Sequence, residues 1–212
     1  MIQHFDLLGF FSITLMLFMQ WQIYISRIAT TFAVSSLLIG AAFVFEGIHA
    51  GELPTIMLGV LTAAIRGLVI PLVIVRSLHA KPHRAREHAP AVPTATSIVV
   101  SLGLVLGSYI LYALLLAPDI GPAADFLPFA LLLQGGFLIV SRRHAFAQLT
   151  GYLVMENAVL LLGSMVVPGL PFIVEAGVIL DLLGLVAVSR IIMRLRESSV
   201  EENGYHREEL AG

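Results

Sequence analysis

No cysteine occurs in the 212 residues, which excludes disulfides, thiolate nucleophiles and the sulfur ligands of iron–sulfur clusters. Charge is nearly as scarce: Asp, Glu, Lys and Arg make up 12% of the chain, about half the share of a soluble domain. Basic residues form no run and the formal net charge is −2, so nucleic acid is not expected as a partner. The histidines (4, 49, 79, 83, 88, 144 and 206) fall mostly at segment ends and in loops, with no HExxH motif, and the one HxxxH spacing, His79 to His83, runs through Pro82 in the basic loop. No metal or haem site is therefore expected. A glycine-rich phosphate loop and a nucleophile–base arrangement are also lacking. No cofactor is expected, and no active site can be named.

What the chain does have is apolar surface. Hydrophobic residues reach 58% and the mean hydropathy is +0.94. There is too little polar side chain to cover a globule in water, so a lipid bilayer is the expected solvent for most of the surface. Apolar stretches long enough to cross about 30 Å of hydrocarbon recur with short breaks. They fall at 4–25, 29–50, 54–78, 94–117, 123–141, 145–167 and 171–194. In lipid such runs must be helices, because only a helix satisfies its own backbone there. The expected fold is an all-α bundle of about seven transmembrane helices. Pro54 and Pro171 stand at first helical turns, where a missing N–H costs nothing, while Pro118, Gly121, Pro122, Pro168 and Gly169 mark turns. The N-terminus lacks a basic region before its apolar run and reads as a retained first span, not a signal peptide.

Positive charge alternates with the spans. Arg27, the basic Pro-rich loop 79–93, the Arg142–Arg143 pair and Arg190, Arg194 and Arg196 all fall on one side. The opposite connections carry Glu52, Asp119 and Asp125 and no Lys or Arg. By the positive-inside rule the N-terminus lies outside and the C-terminus in the cytoplasm. A faint repeat at an offset of 117 pairs Pro54 with Pro171 and Gly67-Leu68-Val69 with Gly184-Leu185-Val186. The chain then divides into a three-helix unit (1–78), the basic loop (79–93), a linker helix (94–122), a second three-helix unit (123–196) and a polar tail (197–212).

Charges inside the spans are the informative residues, since a charge at the bilayer centre costs from about 2.5 kcal/mol upward. Arg66 lies mid-span with no acid within one turn of its own helix, so its partner must come from another helix or another subunit. It is either half of a structural ion pair or a fixed cation that tunes a nearby carboxylate. Glu156 falls near the middle of the sixth span. Glu175 and Asp181 share the seventh, about 9 Å apart along the axis and about 120° apart around it. Each of these acids reads either as a protonated carboxyl bonded to a backbone carbonyl or as a proton-relay group. Glu46, near the outer end of the second span, is adequately explained by snorkelling to the interface, with a functional role as the lesser reading. Small residues in the third span (Gly59, Ala63, Ala64, Gly67) and the seventh (Ala176, Gly177, Gly184) permit close helix approach.

The stretch LTGYLVMENAVLLL followed by PFIVEAGVILDLLGLV resembles the small three-helix K subunit of bacterial respiratory complex I and its cation-antiporter relatives. Over about 200 residues the chain more closely resembles component E of hydrogenase 4 and of the formate hydrogenlyase membrane arm. That likeness rests on Arg66 with the Pro71 region, the pattern Gly151-Tyr152, Met155-Glu156 and Asn157, and the Glu175–Asp181 spacing. In the complex I subunit two glutamates on consecutive helices serve the central proton path. The second maps onto Glu175, whereas the first falls on Leu153, with Glu156 one turn further on. The resemblance implies a non-catalytic subunit that contributes Glu175, Glu156 and Asp181 to a proton or Na+ path, biased by Arg66, in a prokaryotic cytoplasmic membrane. It also implies partners: large antiporter-like subunits, a quinone-pathway-type anchor subunit and a peripheral [NiFe]-hydrogenase arm that holds the redox centres. The alternatives are a structural scaffold in the same arm, which a directly paired Arg66 would favour, and a small stand-alone secondary transporter.

The charge pattern makes a direct prediction about orientation. Green fluorescent protein fused to the C-terminus should fluoresce, and alkaline phosphatase fused after Asp119 should be active; the reverse pair of results would invert the assignment.

Overall fold

The computed structural model describes residues 2–79, 90–115 and 126–166, together with positions 179, 183, 184, 186 and 190. Among these residues every regular element is helical. Helix α1 (Ile2–Trp21) leads through a short turn to α2 (Ile25–Ala50). Then α3 (Leu53–Thr62), a π-helical turn (Ala63–Val69) and α4 (Ile70–His79) follow one another without interruption. Helices α5 (Thr94–Leu115), α6 (Leu127–Ser141) and α7 (Ala145–Val166) complete the described bundle. Four helices are long and apolar enough to cross a membrane: Ile25–Ala50, Leu53–Leu78, Thr94–Leu114 and Ala145–Gly163. Two shorter apolar helices, Phe11–Trp21 and Leu127–Ser141, lie beside them. Most of the expected seventh span, most of the basic loop and the tail lie outside the described residues.

The first break comes earlier than the apolar pattern suggested. Tyr24 is extended (φ −91°, ψ 120°), and its carbonyl accepts from the N–H groups of Arg27 and Ile28, so α2 starts at Ile25 and not at 29. Arg27 is thereby inside the first turn, with its guanidinium 5.4 Å from the centre of the Tyr24 ring. At the far end of α2 the chain reverses in two residues. Gly51 takes the left-handed conformation (φ 69°) and the Glu52 N–H returns to the Gly47 carbonyl at 2.9 Å. Pro54 then occupies the first turn of α3, as its sequence position predicts.

The π turn has a cause in the sequence. Pro71 has no N–H, and its ring would clash with the carbonyl four residues back, at Gly67. Widening the helix just before Pro71 accommodates this, and the Ile70 N–H duly reaches five residues back to the Ile65 carbonyl.

Three connections meet at one end of the bundle. Arg142, just past α6, donates to the Gln20 carbonyl at the end of α1, and the Ala91 N–H before α5 donates to the Ser141 carbonyl at 3.0 Å. The ends of α1 and α6 and the start of α5 are thus neighbours, which the alternation of basic connections requires. Trp21 and Tyr24 sit exposed at this same end, where an aromatic belt would lie.

Two helix pairs approach at backbone distance. Cβ atoms placed on Gly40 and Gly59 would lie 2.7 and 2.6 Å from each other's carbonyl oxygens, so α2 and α3 touch through bare main chain. Gly135 and Gly151 repeat the arrangement between α6 and α7, each 2.7 Å from the other's carbonyl. By contrast, Gly103 and Gly107 on α5 have open space around them, and α5 is the least enclosed of the four long helices.

These contacts generate a paired prediction. Gly151→Ala should lower stability by about 1–3 kcal/mol in detergent, because the added carbon meets backbone that cannot give way. Gly107→Ala should leave the melting temperature almost unchanged. Equal effects at the two sites, measured by thermal unfolding, would contradict the packing.

Candidate functional site

Arg66 projects from the π turn and is completely buried. Its guanidinium Nη2 lies 3.2 Å from Oε2 of Glu156, which is 3% exposed, and forms the ion pair that an unpaired mid-span cation demanded. The second arm, Nη1, donates to Oδ1 of Asn157 at 2.7 Å. Asn157 in turn donates through Nδ2 to Oγ of Ser36 on α2 at 3.0 Å. One amide therefore faces the cation with its oxygen and the hydroxyl with its nitrogen, which fixes its orientation.

Helix register explains why these groups meet. Ser36 lies eleven residues into α2, Asn157 twelve into α7 and Arg66 thirteen before His79. At about 1.5 Å per residue, all sit about 16–20 Å from the end where the basic connections gather, near the middle of a bilayer-length bundle. Adjacent residues of an α-helix point about 100° apart, so Glu156 and Asn157 take different angles, and the wide reach of a guanidinium spans both.

Gly184 is helical and packs directly onto this site. A Cβ there would lie 2.9 Å from Cδ2 of Leu153, and 3.8 Å from both Oε2 of Glu156 and Cδ1 of Ile70. Leu153 and Glu156 therefore look onto the same neighbour. This is the geometry expected if an acid displaced by one turn keeps its helix face. Glu175 and Asp181 lie outside the described residues. Glu46 is not part of the cluster: it stands ten residues beyond Ser36 on α2, about 15 Å along the axis, half-buried beside the Glu52 turn.

Three participants escaped the sequence reading. Ser36 is neutral and Asn157 enters only as part of the resemblance, although a Ser-Ser pair and an Asn inside apolar runs are themselves signals. Arg142 was counted among the loop charges. It is in fact buried, donating to the Gln20 carbonyl at 2.5 Å and the Met19 carbonyl at 3.5 Å, while its own carbonyl accepts from the Gln148 amide at 2.8 Å. The last carbonyls of a helix have no partner within it, and a cation at that point answers both their hydrogen-bonding need and the negative end of the helix dipole.

The chain is similar to Rv0085, an uncharacterized protein of Mycobacterium tuberculosis, with 29% identity over 179 residues that cover 83% of this chain and 81% of that one. No family model matches the chain, and no solved structure does.

The ion pair makes a quantitative prediction. Removing only the cation, by Arg66→Met, should destabilise the protein by about 3–5 kcal/mol, because a buried carboxylate is left uncompensated. The double variant Arg66→Met/Glu156→Met should recover most of that loss. A double-mutant cycle showing simple additivity would mean that the two side chains do not act as a pair.

Proposed function

We propose that the chain is a membrane subunit of a complex I-like, energy-converting assembly of the [NiFe]-hydrogenase or formate hydrogenlyase type, contributing buried carboxylates to a proton or Na+ path. The observation that carries this reading is the Arg66–Glu156 pair at mid-depth, tied to Asn157 and Ser36 on a π turn. Buried charge is expensive, and within membrane spans it concentrates where ions or protons move. Breaks in regular helix geometry concentrate at functional positions as well. The resemblance described above supplies the class of assembly, and the same residues, Arg66 and the Met155-Glu156-Asn157 run, carry both arguments.

In this reading Glu156 is a relay group whose proton affinity Arg66 sets, and Glu175 and Asp181 continue the path on the next span. The partners are antiporter-like subunits, a quinone-pathway-type anchor subunit and a peripheral hydrogenase arm that performs the redox chemistry. The chain has seven spans, with the N-terminus outside and the C-terminus cytoplasmic, in a prokaryotic inner membrane.

One observation favours a second reading. Arg66 meets Glu156 directly at 3.2 Å, which is what a static lock between helices needs. The chain would then be a scaffold in the same membrane arm, with no carboxylate changing protonation.

Purification of the tagged chain from native membranes in mild detergent tests the assembly itself. Large antiporter-like subunits and a nickel–iron arm should co-purify, and a lone oligomer would overturn the proposal. Within the isolated complex, Glu156→Gln separates the two roles. A relay predicts an assembled complex with full redox turnover and at least about tenfold weaker proton pumping, whereas a lock predicts loss of assembly with no specific pumping defect.

A further inference from the structure

A second polar layer lies between α1, α5 and α6, away from the ion pair. Ser12 is fully buried on α1, a helix that packs against α2, α5 and α6. Gln134 of α6 donates through Nε2 to the Ser101 carbonyl of α5 at 2.7 Å, which joins those two helices at the same level. Ser12 lies nine residues before the end of α1, Ser101 seven after the start of α5, and Gln134 seven before the end of α6. These three helix ends are neighbours, so the side chains share a depth of about 10–14 Å.

All three are at least 99% buried. Among the described residues, no protein group answers the hydroxyls of Ser12 and Ser101 or the amide oxygen of Gln134. Nearer the same end, the side-chain amide of Gln20 is fully buried and likewise has neither its oxygen nor its nitrogen answered among the described residues. A single buried hydroxyl can turn back on its own helix, as Ser108 does by donating to the Val105 carbonyl at 2.7 Å. Ser12 and Ser101 do not. Their chemistry calls for a neutral molecule that both donates and accepts hydrogen bonds and finds two to four polar partners at once.

We infer that the α1–α5–α6 interface is a water-binding site, in which Ser12, Ser101 and Gln134 hold ordered water that communicates with the basic end of the bundle past Gln20. Two hydroxyls and an amide oxygen supply the donors and acceptors that a bound water needs. The site lies a few ångströms short of the depth of Glu156, so bound water there is a first step of proton access from the end where Arg142 and Gln20 meet. That last role rests on the relay reading of Glu156; the presence of water does not.

The absence of native cysteine makes the test clean. In the full chain reconstituted into liposomes, Ser12→Cys and Ser101→Cys each place a single, nearly isosteric thiol in the layer. Leu58→Cys places one in the apolar core between α2 and α3, where Leu58 is also buried. On transfer to D2O, infrared spectroscopy follows conversion of the S–H stretch to S–D. The thiols at 12 and 101 should exchange on the order of 100-fold faster than the thiol at 58. Equal, slow exchange at all three positions would overturn the site, as would equal, fast exchange, which would mean that the bundle opens everywhere. The assay reads water and not transport, so a failed pumping experiment leaves its outcome untouched.

Discussion

A guanidinium that cannot reach water sets the terms for the middle of this bundle. Arg66 needs a counter-charge and acceptors for its N–H groups inside an apolar interior. Glu156, Asn157 and, through Asn157, Ser36 supply them from α7 and α2. Once that is granted, much of the surrounding geometry follows. The register of three helices is pinned at one depth, because sliding any of them by a residue would separate charges in a low-dielectric interior where such separation is expensive. The π turn sets the angle at which Arg66 projects, and Pro71 explains why the turn is there.

A second cation plays a different part. Arg142 holds the end of α1 against the α6–α7 connection by donating to the Gln20 carbonyl, and the backbone around Ser141 receives the segment that leads into α5. Two arginines thus organise the described bundle at two levels: one at mid-depth, neutralised by a carboxylate, and one at the end, neutralised by helix carbonyls. Among the described residues, Arg66 stands beside a carboxylate, and Arg142 stands beside the carbonyls that end α1.

The all-helical architecture was legible because apolar runs of such length admit no other solution. The need of Arg66 for a distant partner was legible for the same energetic reason. Its identity was not. Choosing among Glu156, Glu175 and Asp181 depends on the rotational setting of helices, which the π turn alters and periodicity alone does not reveal. The burial of Arg142 is not legible, because a charge count locates an arginine between spans without saying that a helix end captures it. Glycine contacts were half visible. Gly59 and Gly67 belong to a cluster of small residues, but the match of Gly151 with Gly135 exists only in three dimensions. The Glu175 and Asp181 expectations fall outside the described residues.

The glycine contacts have a mechanical consequence. Helices that touch through bare backbone, as α2 does with α3 and α6 with α7, cannot rotate against each other without main-chain collision. Each pair therefore behaves as a rigid plank, and the compliant direction is shear along the seam where α2 meets α7. The Arg66 side chain is anchored in one plank and grips two residues of the other, Glu156 and Asn157, with separate nitrogen atoms. A displacement of about one residue's rise, 1.5 Å, would lengthen one grip while easing the other, so slippage of the planks is converted at once into a change in the electrostatic environment of a single carboxylate.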